Sequence, residues 1–294
     1  MIEVKDISKL FNENMVLDSI TMTASDGEIT SIIGSNGAGK STLIAIIMGY
    51  YFSDGGTVQS GNVSVMPDAN AMFEDVTGLE FLNFISDLKN VPREEAVKYA
   101  EILGIKDDLQ KKIQGYSFGM RKKISFIQAA IGNFQNYIFD EPTSGVDGPS
   151  AQKMLDIILT LKKNGAAILL TSHNLEELER VSDYIYVLED GKITREGTVI
   201  DITSRTCLTE KDSWIEYILR VRNIDLLQSK LTEYFPEQID SETLLIKLSK
   251  DDTIYSVFQT LQEVSEYIDE FYLYRRSLRD IIYGQWDQTF EGYQ

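Results

Sequence analysis

The 294 residues leave room for one large or two modest domains, and 43% hydrophobic with 25% charged residues is an ordinary globular composition. The formal net charge of −18 argues against non-specific binding to nucleic acid, which relies on basic patches. No apolar run approaches the roughly 18 residues of a spanning helix, the first residues lack the regions of a signal peptide, and the single cysteine, Cys207, cannot close an internal disulfide, so the expected compartment is the cytoplasm.

In chain order, residues 2–33 read as strands and turns, ending in the β-rich apolar run 28–33. A glycine-rich loop, 34–42, follows and opens a helix that continues through the apolar run 43–48. Asp54, Gly55 and Gly56 read as a turn, and residues 63–66 as a short strand. The composition turns helical from about Leu79 to Asn133, with Pro92 starting one helix after a break. Residues 136–140 return to strand, and Pro149 suits the first turn of a helix that runs to about Lys163. Residues 167–170 read as a buried strand, and 181–193 as a strand, a turn at Asp190 and Gly191, and a hairpin partner. Strands alternating with helices imply a largely parallel α/β sheet. After about Thr203 the character changes: strands at 214–221, 244–248 and 271–274 alternate with helices at 225–235 and 252–264, which suggests a separate small α+β domain.

The loop fits the pattern G-x-x-x-x-G-K-[ST] in the strand–loop–helix setting that this pattern requires. By average composition it arises by chance roughly once in a hundred chains of this length. Its glycines let the backbone curl so that several N–H groups converge on one anion. The helix beginning there aims its free N–H groups and positive dipole end at the same place. Lys40 adds a full charge for β- and γ-phosphates, and Ser41 a hydroxyl for Mg²⁺. The phosphate cradle is therefore Gly34, Ser35, Asn36, Gly37, Ala38, Gly39, Lys40, Ser41 and Thr42. About 100 residues on, an apolar strand ends in Asp140 and Glu141. Asp140 is placed to hold Mg²⁺ through water, and Glu141 to polarise an attacking water; plain loop solvation is the competing reading.

With these motifs in this order, residues 1–203 resemble the nucleotide-binding subunit of ABC transporters. Residues 116–120 resemble the family signature and open a helix with Arg121, Lys122 and Lys123; residues 144–147 resemble the D-loop, and His173 the switch histidine. The resemblance implies a P-loop NTPase core over about 1–67 and 134–203, a helical signature subdomain over about 68–133, and an accessory α+β domain over 204–294. It implies two subunits paired head to tail around two ATP molecules, as a homo- or heterodimer. Ser117 and Gly119 would face the partner's γ-phosphate, Asp147 would lie in the D-loop beside it, Glu141 would act as base and His173 would contact the γ-phosphate. Phe11 resembles the aromatic that stacks on adenine. With no membrane helix in the chain, the family reading implies a separate transmembrane permease, met in the groove around Asp68 and residues 72–79, and a peripheral location on the cytoplasmic face of the membrane.

Two departures stand out. Asp68 occupies the place of the family's Q-loop glutamine; it could reach Mg²⁺ through water. Phe118 replaces the first glycine of the signature pair. Residues 276–282 resemble the ending of drug- and peptide-export ATPases. A general likeness to exporters gives the expected cargo, an antimicrobial or amphipathic peptide or a small toxic compound. A soluble ABC ATPase acting on ribosomes or DNA, and a non-hydrolysing regulatory module, are the alternatives.

Overall fold

The computed structural model describes residues 1–204, 214–249, 259, 261–262, 264–274 and 277–279. Cys207, most of the helix expected over 252–264, and Arg276 with residues 280–282 of the C-terminal motif lie outside the described residues. The chain forms two compact units, Met1–Val199 and Ile200–Gln294, dividing slightly before the expected boundary at Thr203.

The first unit runs β1 (Ile2–Phe11), β2 (Asn14–Ala24), β3 (Ile29–Ile33), α1 (Lys40–Ile47), β4 (Gly55–Ser60), β5 (Val63–Val65), α2 (Gly78–Leu88), α3 (Arg93–Ile102), α4 (Phe118–Ala130), β6 (Asn136–Asp140), α5 (Gly148–Lys163), β7 (Ala167–Thr171), α6 (Leu175–Val181), β8 (Tyr184–Glu189) and β9 (Lys192–Thr198). A six-stranded sheet has the order β5-β6-β7-β3-β8-β9, parallel throughout except for the terminal hairpin β8–β9. Every residue of β3 and β7 is buried, the mark of parallel strands covered on both faces. A second, antiparallel sheet has the order β2-β1-β4.

Helix α1 lies between the sheets. Its Leu43, Ile44, Ile46 and Ile47 pack with Ile2, Val4 and Ile7 of β1, with Leu17, Ile20 and Met22 of β2, and with Ile32 of β3. Each such side chain contributes roughly 1.5–3 kcal/mol when fully buried. The loop before α1 is thus seated on a two-sided core, which fixes where its amides point.

Helix starts follow local side-chain chemistry. Thr77 and Glu80 form a reciprocal capping box at α2. Ser117 caps α4, Asp147 caps α5 with Pro149 in the first turn, and Asn174 caps α6. Two expectations for this unit need correction. Gly55 and Gly56 do not form a free turn; they begin β4, because pairing with β1 supplies hydrogen bonds that their own propensity does not. Gly56 is needed there: it has φ of 79°, and a Cβ would meet the Lys5 carbonyl oxygen at 2.2 Å. Val181 ends a helix rather than starting a strand, because Asn174 nucleates the short helix α6 that sequence periodicity missed.

The second unit contains α7 (Val199–Ser204, beginning at the division), β10 (Trp214–Val221), α8 (Ile224–Lys230), β11 (Glu237–Gln238), β12 (Thr243–Ser249) and β13 (Ile268–Leu273). Its strands form an antiparallel sheet of order β11-β12-β10-β13. Leu219, Leu244 and Ile246 pack with Leu227 of α8 to give this unit a core of its own. The helix expected over 225–235 stops at Lys230; a 3-10 turn follows, and Phe235 at φ of 49° prevents continuation.

Candidate functional site

The neighbouring order β6-β7-β3 brings three C-terminal strand ends to one crevice, the usual ligand position in open α/β sheets. From β3 comes the glycine loop, from β6 the pair Asp140 and Glu141, and from β7 the segment Thr171–Ser172–His173.

Three glycines make the loop possible. Gly37 and Gly39 have φ of 86° and 109°, outside the range side-chain-bearing residues readily adopt. A Cβ on Gly34 would stand 2.3 Å from the Leu188 carbonyl oxygen, and one on Gly39 would stand 2.9 Å from that of Val16. Ser35, Asn36 and Gly37 are exposed at the loop's crest while Ala38 is buried beneath it; Ser41 is exposed and Thr42 half-buried in the first turn of α1. Lys40 curls back over the loop, donating to the carbonyls of Gly34 at 2.6 Å and Ser35 at 3.1 Å. Partial burial pulls its pKa down, and the facing carboxylates Glu141 and Asp140 oppose that shift.

The acidic pair is held by β7. The Thr171 hydroxyl donates to Asp140 Oδ1 at 2.5 Å and accepts from the Glu141 N–H at 3.0 Å. Glu141 has φ of 51°, a left-handed conformation costing on the order of 1–3 kcal/mol in a non-glycine residue and typical of functional turns. Its Oε1 is buried and makes no hydrogen bond; it lies 3.1 Å from His173 Nε2. Burial pushes the Glu141 carboxyl above the ordinary range and Asp140's charge adds to this, while His173 and Lys40 pull it back. A carboxylate with one uncommitted buried oxygen, a basic shift and a histidine alongside is equipped to accept a proton.

The remaining expected residues are placed as follows. Phe11 is partly exposed at the tip of the β1–β2 hairpin, so it is not a core residue. Tyr51 stands edge-on to its ring at 5.6 Å and the Lys9 ammonium lies 5.3 Å from its centroid. Val16 and Leu17, packed under Gly39, bring that hairpin beside the loop. Ser117 is exposed, and its hydroxyl accepts from the Met120 N–H at 3.2 Å. Gly119 faces Gly145: a Cβ on it would be 3.1 Å from the Gly145 carbonyl oxygen. Phe118 lays its ring against Gly145, where a Cβ would be only 2.6 Å from Cε1. Asp147 accepts from the Ser150 N–H at 2.9 Å and pairs with Lys123 at 3.0 Å, and the Lys123 interaction leads in lowering its pKa to about 2. Asp68 is exposed and accepts from the Asn70 N–H at 2.9 Å.

Sequence reasoning missed two residues here. Thr171 is buried at the end of β7, and Lys122 is buried in α4 with Nζ donating to the Glu141 carbonyl at 2.7 Å. The signal for Lys122 was a lysine on the helix stripe it shares with Ser125, Phe126 and Ala129.

Mg²⁺ fits the donors on hand. Ser41 and Asp140 are hard oxygen ligands, and among the described residues no three His, Cys, Asp or Glu side chains converge on a metal position. One or two protein oxygens completed by phosphates and water is how this ion is usually held.

Comparison with known proteins places this geometry among its relatives. The profile described as "ABC transporter" matches residues 17–144. An uncharacterized ABC transporter ATP-binding protein of Methanocaldococcus jannaschii is 30% identical over 92% of this chain and 98% of its own length. The linearmycin resistance ATP-binding protein of Bacillus subtilis is 29% identical over 70% of this chain and 71% of its own length. The ribose import ATP-binding protein of Lactococcus lactis is 30% identical over 80% of this chain but 49% of its own length. Among solved structures, an ATP-binding subunit of an ABC transporter matches with a TM-score of 0.65 at 28% identity, covering 69% of this chain and 91% of that one.

Proposed function

The chain belongs to the ABC transporter family as an ATP-binding subunit, and we propose that it uses ATP hydrolysis to drive export through a separate transmembrane subunit on the cytoplasmic face of the membrane. ATP hydrolysis is the family's characteristic activity. The observation that carries the mechanistic reading is the meeting of Lys40 with Asp140, Glu141 and His173 in one crevice.

In this reading the loop amides and Lys40 hold the β- and γ-phosphates in line. Ser41 and Asp140, with Asp68 through water, would hold Mg²⁺, which when bound neutralises charge on the phosphate oxygens. Glu141 accepts a proton from water as its oxygen attacks the γ-phosphorus. The bond to the β–γ bridging oxygen breaks, giving ADP and phosphate. His173 orients the Glu141 carboxylate and contacts the γ-phosphate. Positioning and charge stabilisation do most of the work in such a transfer. Ser117, Gly119 and Asp147 serve the nucleotide of a second subunit in a head-to-tail dimer, and Phe11 stacks on adenine.

A role in resistance to a toxic compound, which export would provide, draws support from the likeness to the linearmycin resistance ATP-binding protein over 71% of its length. A second reading, sugar import, is favoured by comparable identity to the ribose and xylose/arabinose import subunits. The test of the ATPase reading is turnover by the purified full chain against a Glu141→Gln control. Equal rates in the two would overturn it. Co-purification with a multi-helix membrane protein, followed by transport in vesicles of known orientation, decides direction.

A further inference from the structure

Lys122 is 9% exposed, yet no carboxylate lies within ion-pair distance among the described residues; its ammonium donates to a backbone carbonyl, that of Glu141, at 2.7 Å. Burial lowers its pKa, and the charges of Asp140, Glu141 and Asp68 bear on it and oppose that shift only in part. A lysine is an expensive way to satisfy one carbonyl, so the location of that carbonyl matters. It belongs to the one residue of the acidic pair whose backbone is left-handed. The peptides on both sides of Glu141 are therefore fastened. The Glu141 N–H goes to Thr171, through its hydroxyl at 3.0 Å and its carbonyl at 3.2 Å, and the Glu141 carbonyl accepts from Lys122 at 2.7 Å and, more weakly, from the Ser144 N–H at 3.3 Å.

The side chains among these fasteners, Thr171 and Lys122, come from different elements. Thr171 ends β7, the neighbour of the strand β6 that Glu141 follows. Lys122 belongs to α4, whose N-terminus presents Ser117 and Gly119 little more than one turn away, about 6 Å at 1.5 Å per residue. The same helix grips two neighbouring segments: Ser125 donates to the Pro67 carbonyl at 2.6 Å beside Asp68, and Lys123 pairs with Asp147 at 3.0 Å.

We propose that Lys122 is a positioning residue for hydrolysis, holding Glu141 in its strained conformation from the signature helix, so that a nucleotide engaged at Ser117 and Gly119 sets the aim of the carboxylate in this subunit's own site. The inference rests on the ATPase reading above and deepens it. Lys122 touches neither the phosphate loop nor the adenine side, so its loss acts on turnover and not on nucleotide affinity. Arginine can reach the same carbonyl and restore the charge; methionine fills the volume without a donor.

The test uses the full-length chain and three measurements: cooperative unfolding, Mg·ATP affinity and steady-state kcat. Wild-type turnover that is abolished in Lys40→Ala secures the ATPase reading first; its absence sinks that reading and not this one alone. Lys122→Met is then expected to lower kcat by about tenfold or more, the scale of a misplaced catalytic group, with Mg·ATP affinity within about twofold of wild type. Lys122→Arg is expected to return kcat to within about threefold. Unchanged kcat in Lys122→Met overturns the proposal, as does a matching loss of affinity or failure of arginine to recover turnover. If Lys122→Met does not unfold cooperatively, Lys122→Gln replaces it and must show the same fall in kcat.

Discussion

Glu141 and His173 meet at 3.1 Å across two neighbouring parallel strand ends, with the glutamate's Oε1 buried and otherwise without a partner. Loss of the base should therefore separate binding from chemistry. Glu141→Gln is expected to retain Mg·ATP affinity and to lose kcat by about 10²–10⁴-fold, the usual worth of a positioned general base. His173→Ala should lower kcat with affinity little changed, read by the same steady-state assay beside equilibrium nucleotide titration.

Gly34 permits a contact that no other residue allows, because the Leu188 carbonyl occupies the place of its Cβ at 2.3 Å. Gly34→Ala must displace backbone, and the expected loss of stability is about 1–3 kcal/mol together with nucleotide binding. Urea unfolding and ATP titration on one sample measure both. Gly27→Ala is the control: the added Cβ meets nothing within 4 Å, so any loss there reflects only its φ of 73°.

Lys89 gives a pH signature. Its ammonium sits among the Ser64 hydroxyl and the carbonyls of Gln128, Ala129 and Ile131, over the ring of Phe134, capping the end of α4. Burial lowers its pKa from 10.5 to about 8, against the opposing charge of Glu95. Below pH 8 both folded and unfolded chains carry the proton. Between about 8 and 10.5 only the unfolded chain does, so stability attributable to Lys89 rises with pH across that window, by up to about 3 kcal/mol at the top. The difference in unfolding free energy between wild type and Lys89→Met, followed from pH 7.5 to 10, should grow in favour of wild type.

Phe118 rests its ring on Gly145 while remaining exposed. Phe118→Ala is expected to cost under about 1 kcal/mol, since little apolar area is lost from water. Gly145→Ala should cost more, because the residue has φ of 73° and no room beside the ring. Thermal unfolding of the two variants ranks them.

What could be seen in advance follows from how local each determinant is. The phosphate loop was legible because its glycines, lysine and hydroxyl lie within nine residues and their spacing is the geometry. Asp140, Glu141 and His173 were legible because each ends an apolar strand or follows one directly. Strand β4 was not, since Gly55 and Gly56 become strand only through pairing with β1. Helix α6 was hidden by its seven-residue length and by its closing Val181. Thr171 and Lys122 were invisible as site residues because their partners lie 31 and 19 residues away and one of those partners is a backbone carbonyl.

The most direct test is titration of the full-length chain with Mg·ATP beside Lys40→Ala. The charge-assisted contact to the phosphates predicts saturable binding by wild type and an affinity loss of about tenfold or more in the variant. A folded wild-type chain that does not bind, or equal affinity in the two proteins, would contradict the account.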